Sequence, residues 1–389
     1  MQPTAGVDIT TIFKKYARAY LKKCRYIIPF PHAKTIYDIC NCRSDSLGGH
    51  LDCCDNCGYS HFFYHSCYNR SCPQCQGIQA KKWLNKQAEK LLSAPYFHIV
   101  FTVPREVGEL IQQNQAVLLK VLFKAVNITL ATLVKNSRYK NAIHAAMAVL
   151  HTWTRQLGSH YHPHIHCLVP GVVIYNTPSG GWRFSFSKKN FFAPERVLSR
   201  IFRAVFVRLA RKKIPALTFP QSIFQKDWVV YAKPTCKNEK KVLQYLSLYI
   251  YRTAISNSRI KSELNGKITF TYKDSTHHQL HYVTLDALEF LRRFLMHILP
   301  PGFHKVRFYG FFSPSYKKLY SSLRMELATL NFYRSDNSDS DSIKPIAQYW
   351  RICPNCRAGK LRTLGHIFFK KNIFLYCRPP PNENIKSRS

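Results

Sequence analysis

Acidic residues are scarce. Only 20 Asp and Glu stand against 58 Lys and Arg in 389 residues, a formal charge of +38. A nuclease built on three clustered carboxylates finds poor material here, because the few acids sit in no convincing strand context. The positive surplus runs along the whole chain and implies a polyanionic partner, with nucleic acid the first choice. A membrane surface fits less well, since no basic amphipathic stretch stands apart from the rest. Met1-Gln2-Pro3-Thr4-Ala5-Gly6-Val7-Asp8 has neither the charged start nor the apolar core of a signal peptide. The most apolar segment, Leu118 to Val134, is interrupted by Lys120 and Lys124 and has helical periodicity, so it predicts a packed helix and not a membrane span. No internal repeat is evident. These absences predict a cytoplasmic, nucleoid-associated protein with DNA as its partner and no membrane partner.

What the chain does have is cysteine, 14 in all. In a reducing compartment such a number argues for metal ligation and against a disulfide scaffold. Cys40, Cys42, Cys53, Cys54, Cys57, Cys67, Cys72 and Cys75 crowd together, and fourteen residues separate Cys54-x2-Cys57 from Cys72-x2-Cys75. That spacing suits four thiolates around one tetrahedral zinc ion. Cys42, His50, His65 and Cys67 are candidates for a second zinc site. A full thiolate set predicts structural Zn²⁺, with nearby DNA contacts from Arg43, Tyr68, Asn69 and Arg70. Residues 335–342 form a polar, acidic, low-complexity run that reads as a linker. Beyond it, Cys353-Pro354-Asn355-Cys356 with His366 and Cys377 is a weaker candidate for a second zinc knuckle in a small basic tail.

Between these ends the chain alternates helical and strand signals. Residues 8–40 read as helical, with Phe13, Tyr16, Tyr20 and Leu21 on one side and lysines on the other. Ala80 to Leu92 is a Lys-rich helix. Tyr96 to Val103 is a strand ended by Pro104, helices fill 106–136, and Ala145 to Thr152 is a second strand. Trp182 to Phe186 alternates like a strand, residues 193–213 form a basic amphipathic helix suited to phosphate, and Asp227 to Pro234 is a further short strand.

Chemistry concentrates at His162-Pro163-His164-Ile165-His166-Cys167, which runs into an apolar segment. As a strand it projects His164 and His166 from one face and Ile165 from the other, so two imidazoles can hold one metal ion. His162 joins that face if the extended backbone continues through Pro163. A short loop between the strands at 145–152 and 164 onward makes them antiparallel neighbours, so His151 is another candidate ligand. Downstream, Tyr245 and Tyr249 lie four apart on a predicted helix from Lys241 to Ile250, one above the other on the same face. Such a pair could present two phenolic nucleophiles to one phosphate. A phosphotyrosine ester conserves the energy of the broken bond, and a metal on the histidines would draw charge from the phosphate.

Several stretches together resemble the HUH-superfamily rolling-circle transposases of bacterial insertion sequences, in the family that carries two active-site tyrosines. The resemblance covers about residues 30 to 325. It runs through Leu47-Gly48-Gly49-His50, Ser66-Cys67-Tyr68-Asn69-Arg70-Ser71-Cys72-Pro73-Gln74-Cys75, Pro95-Tyr96-Phe97-His98-Ile99-Val100-Phe101-Thr102 and Leu150-His151-Thr152-Trp153. It continues through His162-Pro163-His164-Ile165-His166, the Tyr245–Tyr249 helix with Ala254-Ile255-Ser256-Asn257-Ser258-Arg259, Phe290-Leu291-Arg292-Arg293-Phe294 and His297-Ile298-Leu299-Pro300.

The resemblance implies an α+β fold: a compact antiparallel sheet flanked by helices, with the His pair on a central strand and a small zinc-binding domain in front. It implies His164 and His166 as the metal pair, Tyr245 and Tyr249 as nucleophiles toward single-stranded DNA, and Mg²⁺ or Mn²⁺ as the ion. Leu248 and Tyr251 depart from the family's usual Arg and His. Candidate DNA contacts are Arg70, Lys233, Arg252, Arg259, Arg292 and Arg293. The expected domains are 1–92 (helix and zinc-binding), 93–330 (nuclease), 331–350 (linker) and 351–389 (tail). A plasmid replication initiator or relaxase would share this active site. A non-catalytic zinc-dependent DNA-binding protein would keep the charge and the cysteines without the chemistry.

Overall fold

The computed structural model describes residues 7–76, 83, 91–92, 94–135, 141–154, 156–187, 192–234, 253–274, 279–329, 352–368 and 373–376. Its longer helices are α1 (Ile9–Lys23), α2 (Phe30–Cys40), α3 (Arg105–Gln113), α4 (Gln115–Lys135), α5 (Glu195–Lys213), α6 (Ala287–Leu295) and α7 (Lys317–Thr329). The strands are β1 (Gly49–Cys54), β2 (Ser60–Tyr64), β3 (Tyr96–Thr102), β4 (Ala145–His151), β5 (His164–Pro170), β6 (Val172–Asn176) and β7 (Trp182–Phe186). They continue with β8 (Val230–Pro234), β9 (Ile260–Leu264), β10 (Lys267–Lys273), β11 (Leu280–Asp286), β12 (Val306–Gly310), β13 (Leu361–Phe368) and β14 (Ile373–Tyr376). The fold is α+β, and every sheet pairing among these strands is antiparallel.

The central sheet has the order β12-β4-β5-β3-β8, which puts the His-x-His strand in the middle. One face alternates Phe97, Ile99 and Phe101 of β3 with Ala148 and Leu150 of β4 and Ile165, Cys167 and Val169 of β5. That face is covered by Leu118, Leu122, Val126 and Leu130 of α4 and by Leu198, Phe202 and Phe206 of α5. Each fully buried Leu or Phe contributes on the order of 2 kcal/mol. The apolar stretch around Leu118 is thus a core helix packed on a sheet. Period-2 alternation sends His98, His151, His164 and His166 to the other face, where Met147, Val149 and Leu168 meet α7 and the β6-β7 hairpin.

The first helical stretch differs from its expected form. Asp8 caps α1 by accepting from the Thr11 amide, but the helix stops at Lys23 and Arg25 and Tyr26 take left-handed φ values of 49° and 60°. Pro29 then starts α2, so a proline that can neither donate to a helix nor tolerate a helical predecessor splits the stretch in two. The end of the chain differs more. The expected separate tail returns to the front: β13 pairs with β1 from Gly49↔Ile367 to Cys54↔Leu361, giving a sheet ordered β14-β13-β1-β2. The Lys-rich segment at 80–92 and the linker at 331–350 lie outside the described residues, apart from Trp83, Leu91 and Leu92.

Candidate functional site

Pairing of β4 with β5 sets His151 opposite His164 and Val149 opposite His166. One ring nitrogen from each of His151, His164 and His166 lies within 4.8 Å of the others. His164 has its Nδ1 2.8 Å from the His162 carbonyl oxygen, so Nδ1–H donates there and Nε2 is the atom suited to a metal. His166 Nδ1 sits 2.9 Å from His98 Nε2, with the two rings parallel to within 3°. Burial lowers the His98 pKa to about 4, so His98 meets His166 as a neutral imidazole. His151 is stacked on Trp153, which also has Lys305 above its ring at 4.8 Å and the buried His297 at its edge. Three ring nitrogens, each ring steadied by a neighbour, could hold one divalent cation.

His162 does not join this cluster. β5 begins only at His164, so Pro163 interrupts the extended run, and His162 contributes its carbonyl oxygen instead of its ring. His98 is a site residue that sequence reasoning misses. Its signal is weak, a single polar residue in an apolar strand, and only the β3-β5 register at Val100↔His166 and His98↔Leu168 reveals its diagonal approach to His166.

The cysteines group differently from their spacing. Cys42, Cys67, Cys72 and Cys75 form one cluster, and Cys54, Cys57, Cys353 and Cys356 form another. Contrary to the expectation from spacing, Cys54-x2-Cys57 and Cys72-x2-Cys75 therefore do not share an ion. The antiparallel β1-β13 pairing carries the first pair to the tail's Cys-x2-Cys instead. Sulfur separations are 3.6, 3.6 and 3.7 Å in the first cluster and 3.7 Å for both Cys54–Cys356 and Cys57–Cys353. A zinc–sulfur bond of about 2.3 Å gives a tetrahedral edge of about 3.8 Å, so both sets have the size of a zinc tetrathiolate.

The second cluster is reciprocal in detail. Asn56 Nδ2 donates to Cys356 Sγ and Asn355 Nδ2 donates to Cys57 Sγ, each at 3.7 Å. The Gly359 amide donates to Cys356 Sγ at 3.3 Å and is the main reason that thiol is lowered to about 6. Such donors favour the thiolate form that binds metal. His50, expected beside Cys42 and Cys67, lies instead with His65 and His366. Cys377 lies outside the described residues.

Four of the described basic candidates make contacts within the chain. Arg70 donates to the carbonyl oxygens of Phe303, Leu299 and Pro300 at 2.6, 2.9 and 2.8 Å, joining the zinc-binding segment to the chain that follows α6. Arg292 and Arg293 both pair with Glu289, and Arg293 also donates to the Leu157 carbonyl. Arg259 Nε donates to the Thr271 carbonyl at 2.6 Å and its guanidinium lies over Phe270. Each of these four therefore already has carbonyl or carboxylate partners within the chain, while Arg70 and Arg292 stay exposed and Arg259 and Arg293 are half-buried. Lys233 is exposed on the edge strand β8. Tyr245, Tyr249 and Arg252 lie outside the described residues.

Residues 12–103 match the family described as "Transposase zinc-binding domain", and residues 145–319 match the one described as "Putative transposase". The chain is 33% identical over 385 residues to the "Putative transposase y4qJ" of Sinorhizobium fredii (strain NBRC 101917 / NGR234), covering 92% of this chain and 95% of that protein. It is 26% identical over 317 residues to the "Transposase for insertion sequence element IS801" of Pseudomonas savastanoi pv. phaseolicola, covering 75% of this chain and 74% of the other. No solved structure matches the chain. With that extent of likeness, and with two cysteine clusters in the matched zinc-binding region and its tail, the chain belongs to the IS91-like transposases.

Proposed function

We propose that this transposase cuts and rejoins single-stranded DNA at the ends of its element, using a tyrosine as nucleophile and a divalent cation held by His151, His164 and His166. The observation that carries the reading is the three-imidazole cluster on the central strands β4 and β5 of a transposase poor in acids. Tyr245 and Tyr249, on the segment that follows β8, are the candidate nucleophiles. The phenolic oxygen attacks the scissile phosphorus, the bond to the 3′ oxygen breaks, and that oxygen takes a proton to leave as a 3′-OH. The DNA is then held as a 5′-phosphotyrosine ester, which a later 3′-OH can reverse without ATP. In rolling-circle transposition the first 3′-OH primes strand displacement, and the second tyrosine serves resolution or transfer.

When bound, the cation would polarise the scissile phosphate and draw off developing negative charge. The chain's own part is positional. The His162 carbonyl fixes the His164 tautomer, His98 orients His166, and Trp153 stacks under His151. Three nitrogen donors without a carboxylate suit Mn²⁺ better than Mg²⁺. The two cysteine clusters would each hold a structural Zn²⁺, and the protein would act on DNA of the nucleoid in the cytoplasm.

Incubation of the purified chain with labelled single-stranded DNA carrying the element's ends, with Mg²⁺ or Mn²⁺, tests the reading on a denaturing gel. A metal-dependent covalent adduct that disappears in His164→Ala, and in Tyr245→Phe or Tyr249→Phe, is the expected result. Retained DNA binding with no adduct under either metal would overturn it and favour a non-catalytic DNA-binding protein.

A further inference from the structure

The cysteines and the nuclease histidines leave one constellation without a role. His50 on β1 is the register partner of His366 on β13, and His65 follows β2. One ring nitrogen of each lies within 4.8 Å of the other two, and all three side chains are half-buried. The ring centroids are 5.5 to 5.8 Å apart.

Three observations point to a ligand. His65 Nδ1 lies 3.2 Å from the Leu47 carbonyl oxygen, so Nδ1–H donates outward and Nε2 is turned to the cluster, the same arrangement as His164. His65 Nε2 is 3.4 Å from His366 Nδ1, which matches the edge of about 3.3 Å expected between two nitrogens on one tetrahedral zinc with Zn–N bonds of about 2.0–2.1 Å. Asp52 places Oδ2 3.8 Å from His50 Nε2, while its Oδ1 is buried and has no hydrogen-bond partner. A buried, unpartnered carboxylate oxygen is costly unless positive charge lies nearby.

We infer that His50, His65 and His366 form a third metal site of this zinc-binding region, a tri-histidine site for Zn²⁺ with Asp52 supplying compensating charge beside it. It differs from the two tetrathiolate clusters in its all-nitrogen donor set, and a three-ligand set leaves a coordination position for water or another donor. It spans strands that lie more than 300 residues apart in the chain, so it clasps β13 to β1 at the end away from Cys54 and Cys353. The inference does not depend on the proposed nuclease chemistry.

The test uses the full-length chain carrying His164→Ala and His166→Ala, so that the central cluster cannot contribute. Zinc is counted by elemental mass spectrometry, and the zinc is then exchanged for ¹¹³Cd and observed by NMR. Three ions per chain are expected, with one cadmium resonance in the nitrogen-and-oxygen range besides those of the sulfur sites. Adding His366→Ala should remove that resonance and one ion while the sulfur resonances persist. A count of two ions with sulfur-range resonances alone, before His366 is altered, would overturn the site. Because the count precedes that substitution, it decides the matter even where His366→Ala unfolds the sheet.

Discussion

His98 Nε2 lies 2.9 Å from His166 Nδ1, the two rings stacked almost parallel across neighbouring strands. Their hydrogen bond fixes which nitrogen of His166 faces the cluster. Outer partners of metal ligands are worth about 10–100-fold in affinity. His98→Phe, which keeps the ring and removes the nitrogens, is expected to raise the Mn²⁺ concentration needed for adduct formation by about that factor. The bound zinc should be unchanged. A titration that leaves the metal requirement where it was would remove His98 from the site.

The donor set also orders the metals. Imidazole suits softer first-row ions and carboxylate suits Mg²⁺, so adduct formation is expected to half-saturate at Mn²⁺ concentrations at least ~10-fold below those of Mg²⁺. Side-by-side titrations with one DNA substrate measure this. Equal requirements would mean that donors beyond the three histidines complete the site.

Cys356→Ser removes one thiolate from the cluster that joins the tail to β1. The expected outcome is loss of one zinc ion per chain and a melting temperature that falls by several degrees, since structural zinc contributes directly to folding. Cys24→Ser, at a half-buried cysteine outside both clusters, is the control and should keep its zinc.

Stability should fall in mild acid. Burial lowers His144 to about 4 and His297 to about 3, against an ordinary value of 6.5. The unfolded chain therefore takes up protons that the folded chain refuses. Stability contributed by these neutral histidines is fully present above pH ~6.5 and is lost as pH falls toward 4, by on the order of 3 kcal/mol per group. Denaturant midpoints at pH 7.5, 6 and 4.5 measure the slope. His144→Gln, which can still hydrogen-bond Asn127, should flatten part of it.

The basic stripe of α5 tests where DNA runs. Arg196, Arg200, Arg208 and Arg211 are exposed on a helix that covers the sheet face opposite the histidines, whereas Arg203 is tied to the carbonyls of Phe224 and Lys226. Changing Arg200 and Arg208 to Gln is expected to lower the slope of log affinity against log salt by about 0.7 for each single-strand phosphate that is no longer neutralised. Adduct yield at saturating DNA should be unaffected. The measurement is binding over a salt series.

Much of the core is legible directly. Alternation across Ile165 places His164 and His166 together, and the short connection makes the strands ending at His151 and starting at His164 antiparallel partners, because period and loop length are local properties. What is not legible is anything set by long-range register. Cys54 and Cys57 find Cys353 and Cys356 only because β1 pairs with β13, and no spacing near Cys57 encodes that choice. His98 is silent for the same reason. Arg70 and Arg293 also donate to carbonyl oxygens far away in the chain, and charge counting in a sequence of net charge +38 cannot foresee those intrachain bonds.

The pairing of β1 with β13 also sets an order of events during synthesis. Cys54 leaves the ribosome 302 residues ahead of Cys356, so the strand that opens the zinc-binding region waits for its partner and for half of one thiolate set. A ribosome-bound chain therefore carries an unfinished front end until β13 has been made. A message cut short before Cys353 would leave β1 without β13 and one thiolate set half made, so translation past the third Cys-x2-Cys is itself a checkpoint on the assembled transposase.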